Sequence, residues 1–195
     1  MKLLLVNPPY PFEECPAPPF GLMSLAAYLI REGIDVKIQD YIVEPYSRER
    51  ISEVLREFRP DVVGATAVTM NVKKAISILK NFRDEAPGII TMIGGPHATF
   101  DAEGMLSHSH IDYVIRGEGE LTATELLDAI NSGRSIEAIK GISFKKEGTA
   151  VHNENRDFIP DINTLPFPGR HLVQLSKYRG MNFPVNMMTS RGCPH

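Results

Sequence analysis

Three short runs, Leu3-Leu4-Leu5-Val6, Val62-Val63-Gly64-Ala65-Thr66-Ala67 and Ile89-Ile90-Thr91-Met92-Ile93, are almost continuously apolar. A strand that is apolar on both faces must be covered on both faces. That requirement selects a parallel sheet with helices on either side. The segments between the runs supply the helices. Leu22–Glu32 carries Leu22, Leu25, Ala26, Leu29 and Ile30 at helical spacing and stops at Gly33. Arg50–Phe58 places Ile51, Val54, Leu55 and Phe58 on one face ahead of Pro60, and Val72–Phe82 does the same with Val72, Ala75, Ile76 and Leu79. Val36–Ile38 and Tyr113–Ile115 read as two further strands, Ala102–Ser107 as a short helix, and Glu120–Asn131 as a helix with Leu126, Leu127 and Ile130 inward. The pattern predicts a flavodoxin-like (Rossmann-like), doubly wound five-stranded α/β fold with strand order 2-1-3-4-5.

Beyond Gly133 the period changes. Ile142–Phe144 and Ala150–His152 flank a charged turn and read as a β-hairpin, Asp157–Arg170 is proline-rich and reads as a linker, and Val185–Met188 reads as a strand. The expected organisation is an α/β domain over residues 1–133, a hairpin extension over 134–156, a linker over 157–184, and the opening of a second, truncated domain over 185–195.

A net charge of −3 on 195 residues gives no reason to expect nucleic acid or a membrane surface as partner. The apolar N-terminus ends at Asn7-Pro8-Pro9, too short for a signal sequence or a membrane span. With two cysteines, Cys15 and Cys193, a disulfide scaffold is not expected, and a cytoplasmic location is.

Open parallel sheets bind ligands at the carboxyl ends of their strands. The loops predicted there hold Asn7-Pro8-Pro9 with Pro18-Pro19-Phe20-Gly21, then Thr66–Asn71, Gly94-Gly95-Pro96-His97 and Gly117-Glu118-Gly119-Glu120. A double glycine makes room for something broad and flat, or for a close backbone. Neither Gly-x-Gly-x-x-Gly nor a P-loop is present, and the glutamates repel phosphate, which argues against a nucleotide site. Asn7 and Thr66 stand where a phosphoacceptor receiver needs acidic residues.

Taken in order, Asn7-Pro8-Pro9, Pro19-Phe20-Gly21-Leu22, Gly94-Gly95-Pro96-His97, Gly117-Glu118-Gly119-Glu120, Leu165-Pro166-Phe167-Pro168-Gly169-Arg170 and Thr189-Ser190-Arg191-Gly192-Cys193-Pro194-His195 resemble the cobalamin-binding N-terminal domain of radical S-adenosylmethionine (SAM) enzymes, in particular the anaerobic magnesium-protoporphyrin monomethyl ester cyclase group. The resemblance implies a domain that holds cobalamin base-off, without a histidine ligand, since the Asp-x-His-x-x-Gly loop of other cobalamin binders is missing. It implies cofactor contacts from Asn7, Pro8, Pro18, Phe20, Thr66, Thr69, Gly94, Gly95, Gly117 and Glu118, with no catalytic residue in this chain. Cys193 is implied as the first ligand of a 4Fe-4S cluster, whose other ligands would lie in a barrel beyond residue 195. In the parent enzyme the cluster and SAM would generate a 5′-deoxyadenosyl radical for methyl transfer or oxidative cyclisation, and this fragment alone would be inactive. Two alternatives stand beside this reading: a scaffold domain of a radical SAM enzyme that has lost cobalamin, and a stand-alone cobalamin sensor or carrier.

Overall fold

A computed structural model of the chain describes residues 1–10, 17–181 and 186–191. Cys15, Val185 and Cys193 lie outside the described residues, so the expectations placed on them are not addressed by the structure. Strands β1 (Lys2–Asn7), β2 (Asp35–Asp40), β3 (Val62–Thr66), β4 (Ile90–Gly94) and β5 (Tyr113–Ile115) form a parallel sheet in the order β2-β1-β3-β4-β5. The hairpin, β6 (Ile142–Lys146) and β7 (Thr149–His152), adds to the free edge of β5 in antiparallel pairing, so the sheet is seven-stranded. Asn186–Met188 form no strand.

Alternation along each strand divides the core. Leu3 and Leu5 of β1 face α1 (Phe20–Arg31) and α6 (Gly119–Ser132). Leu4 and Val6 face α2 (Arg48–Phe58), α3 (Val72–Glu85) and the short helix α5 (Ala102–Leu106). Every one of these four β1 side chains is buried, as an interior parallel strand requires. Full burial of a leucine or phenylalanine contributes about 1.5–3 kcal/mol.

Local chemistry sets the helix ends. The Ser47 hydroxyl accepts from the Arg50 amide to start α2, and Arg59 closes it in the left-handed region ahead of Pro60. Gly133, with φ +66°, ends α6. Two helices are additions to the sequence-based expectation: α4 (Pro96–Phe100), directly after β4, and α7 (Leu175–Gly180). In α3 the buried face is Ala75, Ile78, Leu79 and Phe82, while Val72 and Ile76 are only partly covered.

The segment expected to be an extended linker is instead fastened across the domain. The Ile159 amide donates to Glu118 (2.7 Å), Arg31 to the Thr164 carbonyl (2.6 Å), the Gly169 amide to the Met23 carbonyl (3.0 Å), and Lys177 to the Val43 carbonyl (3.1 Å). This strap explains why Met23 and Tyr28 are buried on α1 while Ile30, on the expected apolar stripe, is 40% exposed. Leu172 and Val173 of the strap pack against the same core as α1. Among the described residues no helix is long and apolar enough to cross a membrane.

The strap ends in a buried polar chain. The hydroxyl of Tyr178, itself fully buried, donates to Asp40 Oδ2 (2.6 Å), and Asn7 Nδ2 donates to Asp40 Oδ1 (2.8 Å). Burial pushes the Asp40 carboxyl above the ordinary carboxylate range, and the hydrogen bonds from Tyr178, Asn7 and the Ile42 amide pull it back only in part. The folded chain therefore holds a proton here at a pH where the unfolded chain has released it. Asp40's contribution to stability falls as pH rises from the usual carboxylate value through the raised one. Tyr178→Phe should cost about 1.5–3 kcal/mol in urea unfolding, the range for a hydrogen bond to a charged group. Asp40→Asn should gain on the wild type as pH rises from the ordinary carboxylate value through the raised one; a difference that stays constant with pH would show that Asp40 titrates as in the unfolded chain.

Candidate functional site

At the carboxyl ends of the strands, on the α1/α6 side of the sheet, a groove of about 270 Å³ opens. Its floor is built from Leu5, Gly64 and Met92, and its sides from Gly21, Leu22 and Leu25 of α1 and Gly119 and Ala123 of α6. Thr66, Gly94, Gly95 and Gly117 form the lip, and Arg191 closes one side. The groove exists because glycines stand where side chains would fill it. A Cβ on Gly21 or Gly117 would project into open space, and one on Gly94 would meet nothing nearer than the Ile115 carbonyl at 3.5 Å. On the floor, a Cβ on Gly64 would run into Met92 at 2.9 Å.

Gly95 has a different task. Its φ is +95°, and a Cβ there would stand 2.8 Å from the Ala67 carbonyl oxygen and 2.8 Å from Thr66 Oγ1. This close approach lets the loops after β3 and β4 bond to each other, Ala67 N to Gly94 O (2.8 Å) and His97 N to Ala67 O (3.0 Å). Gly95 thereby turns the chain from β4 straight into α4, whose first residue is Pro96.

The sequence-derived site residues fall into three groups. Thr66, Gly94, Gly95 and Gly117 line the groove. Pro18 is buried just before α1, and Phe20, the first residue of α1, packs against the core face below the groove. Thr69 is exposed beside it, sharing a hydrogen bond with His97 Nδ1 (3.1 Å). Asn71 stands at the N-cap position of α3 without a side-chain cap; its Oδ1 instead accepts from the Val68 amide (2.9 Å) and holds the loop that carries both threonines. Asn7 and Pro8 are buried, and the Asn7 amide group is engaged with Asp40.

Glu118 does not stand free for a ligand. One of its oxygens accepts from the Ile159 amide (2.7 Å) and the other is ion-paired with Arg191, 2.9 Å from its Nε. Arg191 also forms a two-pronged pair with Glu120, at 2.8 and 3.0 Å, and Glu120 is 2% exposed. The clamp involves residues far apart in the chain, and nothing in the local pattern pointed to it. Gly21 and Gly119 lie in motifs already singled out but carried no expected contact, and Gly64, an isolated glycine in an apolar strand, leaves no other mark in the sequence.

A larger depression of about 580 Å³ lies at the opposite end of the sheet, between Met1, Gly33, Ile34 and the last turn of α6. It is at the amino ends of the strands, away from the loops that hold ligands in this architecture. Among the described residues no three His, Cys, Asp or Glu side chains are placed to hold a metal ion. The His108-x-His110 pair is no exception, since His110 Nε2 is bonded to the Ile76 carbonyl (3.1 Å).

Comparison with known proteins identifies the family. The B12 binding domain family matches residues 14–127. An uncharacterized methyltransferase of Pyrococcus horikoshii is 38% identical over the whole chain, which covers 44% of it. The anaerobic magnesium-protoporphyrin IX monomethyl ester cyclase of Synechocystis is 28% identical, again over the whole chain and 41% of the relative. The chain thus spans less than half the length of these curated relatives. Among solved structures, the radical SAM methyltransferase TsrM of Kitasatospora setae with cobalamin and a [4Fe-4S] cluster bound has a TM-score of 0.71 at 25% identity, over 78% of this chain and 30% of that one. The radical enzyme OxsB with aqua-cobalamin and SAM bound shares the fold, with a TM-score of 0.85 at 23% identity over 98% of this chain and 27% of that one.

The two neighbouring glycines should respond differently to the same change. Gly95→Ala forces a side chain into a left-handed backbone against the Ala67 carbonyl and should cost on the order of 1–3 kcal/mol in urea unfolding. Gly94→Ala makes only ordinary contacts and should stay within about 1 kcal/mol of wild type. Equal costs would show that the β3–β4 approach does not depend on Gly95.

Proposed function

The chain belongs to the B12-binding domain family, and we propose that it holds cobalamin in the groove beside Gly94, base-off and without a histidine ligand, as the N-terminal module of a radical SAM methyltransferase or oxidative cyclase. The observation that carries this reading is the shape and chemistry of the groove. It is apolar, floored by Leu5 and Met92, and edged by glycines. That suits a flat heteroaromatic tail entering between α1 and α6, with the macrocycle lying outside across the loops. At about 270 Å³ it is too small to enclose a whole corrin and close to the lower end of ligand pockets generally. The supporting comparisons are the family match over most of the sheet and the likeness to TsrM with cobalamin bound.

In this reading Gly94 and Gly95 let the tail lie against β4, Gly117 leaves the lip of β5 open, and Thr66 offers a hydroxyl to the tail or to a corrin amide. Thr69 sits at the rim for the same purpose, and its contact with His97 engages the imidazole nearest the site. Pro18 and Phe20 stiffen the wall on the α1 side, while Asn7, bonded to Asp40, and the buried Pro8 fix the chain where it leaves β1. Glu118, occupied by Ile159 and Arg191, acts on the architecture of the lip rather than on the cofactor directly. Residues 1–133 form the binding unit, 134–156 its edge extension and 157–184 a strap leading to 185–195, the start of the radical SAM part. Cobalamin, when bound, supplies methyl transfer or assistance to cyclisation at an unactivated carbon, and the chain contributes binding, orientation and exclusion of water. Cys193 would contribute one thiolate to a 4Fe-4S cluster, and a single thiolate cannot hold it, so the remaining ligands and the SAM site belong to the rest of the parent enzyme.

The test is retention of hydroxocobalamin by the chain through gel filtration. The expected result is a retained complex with a base-off absorption spectrum that His97→Ala leaves unchanged. Gly94→Phe, checked for folding by circular dichroism, should weaken binding at least tenfold, about 1.4 kcal/mol. A folded chain that retains no cobalamin would favour the scaffold reading, and a spectrum altered by His97→Ala would overturn the absence of a histidine ligand.

A further inference from the structure

The clamp at the groove's edge is unusual in its charge balance. Glu118 and Glu120 lie two residues apart at the start of α6, with side chains 12% and 3% exposed, and both are served by one guanidinium, that of Arg191, itself 22% exposed. Two carboxylates with so little water need a partner of opposite charge, and removing it would leave like charges side by side. The planar five-donor fork of arginine meets the whole requirement. It places two N–H groups on Glu120 and its charge 2.9 Å from Glu118, a combination that a lysine ammonium, a single charged point, cannot reproduce.

Glu118 also holds the strap at its other end. Ile159 donates to one oxygen and the Arg191 guanidinium is ion-paired with the other, so the chain meets this carboxylate at 159, reaches Asp40 through Tyr178, and returns to the same carboxylate at 191. Partway along the return, Arg170 donates to the Asn186 carbonyl. Arg191 is part of the groove wall, and it precedes Cys193 by two residues.

We propose that Arg191 is a positioning residue: clamped by Glu118 and Glu120, it fixes the chain at residue 191 to the lip of the groove, two residues ahead in sequence of the cysteine read as the first cluster ligand. The inference rests on the cobalamin reading of the groove. Because Arg191 is at once wall and anchor, filling the groove and seating the clamp are linked, and whatever effect one has on the other is returned in equal measure; the proposal takes that effect to be favourable.

Trypsin tests this on the whole chain, since it must take the Arg191 side chain into its own pocket and the clamp withholds that side chain. Cleavage there, read by mass, should be at least tenfold faster in Glu120→Gln than in wild type, with cleavage after the exposed Arg134 unchanged as an internal control. Arg191→Lys, which keeps a trypsin site but loses the fork, should also be cut faster and serves if Glu120→Gln fails to fold. Hydroxocobalamin should slow cleavage after Arg191 in the wild type and have no such effect in Glu120→Gln. Equal cleavage in wild type and both variants overturns the clamp. Retained cobalamin with no change in cleavage reduces the ion pair to a fastening with no link to the groove, and overturns the proposal alone. A chain that retains no cobalamin overturns the groove reading, and the proposal with it.

Discussion

A parallel sheet must be roofed on both sides, and in this chain the roof on the α1/α6 side parts at the carboxyl ends of the strands. The gap depends on what is missing from β3 and β4. Gly64 leaves the floor to Met92, Gly94 leaves the space above it open, and Gly95 pulls the loop after β4 onto the loop after β3 at a distance no side chain permits. Packing elsewhere in the sheet is dense, with Leu3, Leu4, Val6, Val62, Val63 and Ile93 fully enclosed. The groove is therefore a specified opening in a close-packed body, bounded by helices that have no freedom to collapse into it.

The second organising element is acidic. Asp40 at the end of β2, and Glu118 and Glu120 after β5, stand at opposite sides of the same end of the sheet, and each is satisfied by a donor from the segment after residue 157: Tyr178 for the first, Ile159 and Arg191 for the others. Pairs of this kind add little net stability once desolvation is counted, yet breaking one leaves a buried charge without a partner. They therefore determine where the strap lies more than how stable the domain is. Apolar contacts from Leu172 and Val173 to the α1 core supply the attraction, and the carboxylates choose the register.

The sheet was legible in the sequence because its strands are apolar on both faces and its longer helices keep a period. What escaped was set by contacts distant in the chain. Tyr178 lies in a stretch of mixed polar residues that looks like connecting chain, and only the presence of Asp40 gives its hydroxyl a reason to be buried. Met23 and Tyr28 fall off the apolar stripe of α1 and are covered because the strap crosses there, while Ile30, on the stripe, is left in solvent. The five residues of α4 carry too little periodicity to be recognised, although Gly95 and Pro96 mark its start. At the site, the glycine pair and the threonine loop could be identified from residue type alone. The ion pairs of Glu118 could not, because a glutamate before a helix is equally at home facing water or the helix dipole.

The β6–β7 hairpin closes the sheet in a way that matters outside the folded molecule. Without it β5, three residues of largely buried strand, would be a bare edge ready to recruit another chain. With it the outermost strand is the four-residue β7, which is half in solvent and follows the Lys145-Lys146 end of β6 and a turn at Glu147-Gly148. A brief, charged rim of that kind is a poor template for intermolecular pairing, so the hairpin replaces an apolar edge with one that offers another chain little to pair with.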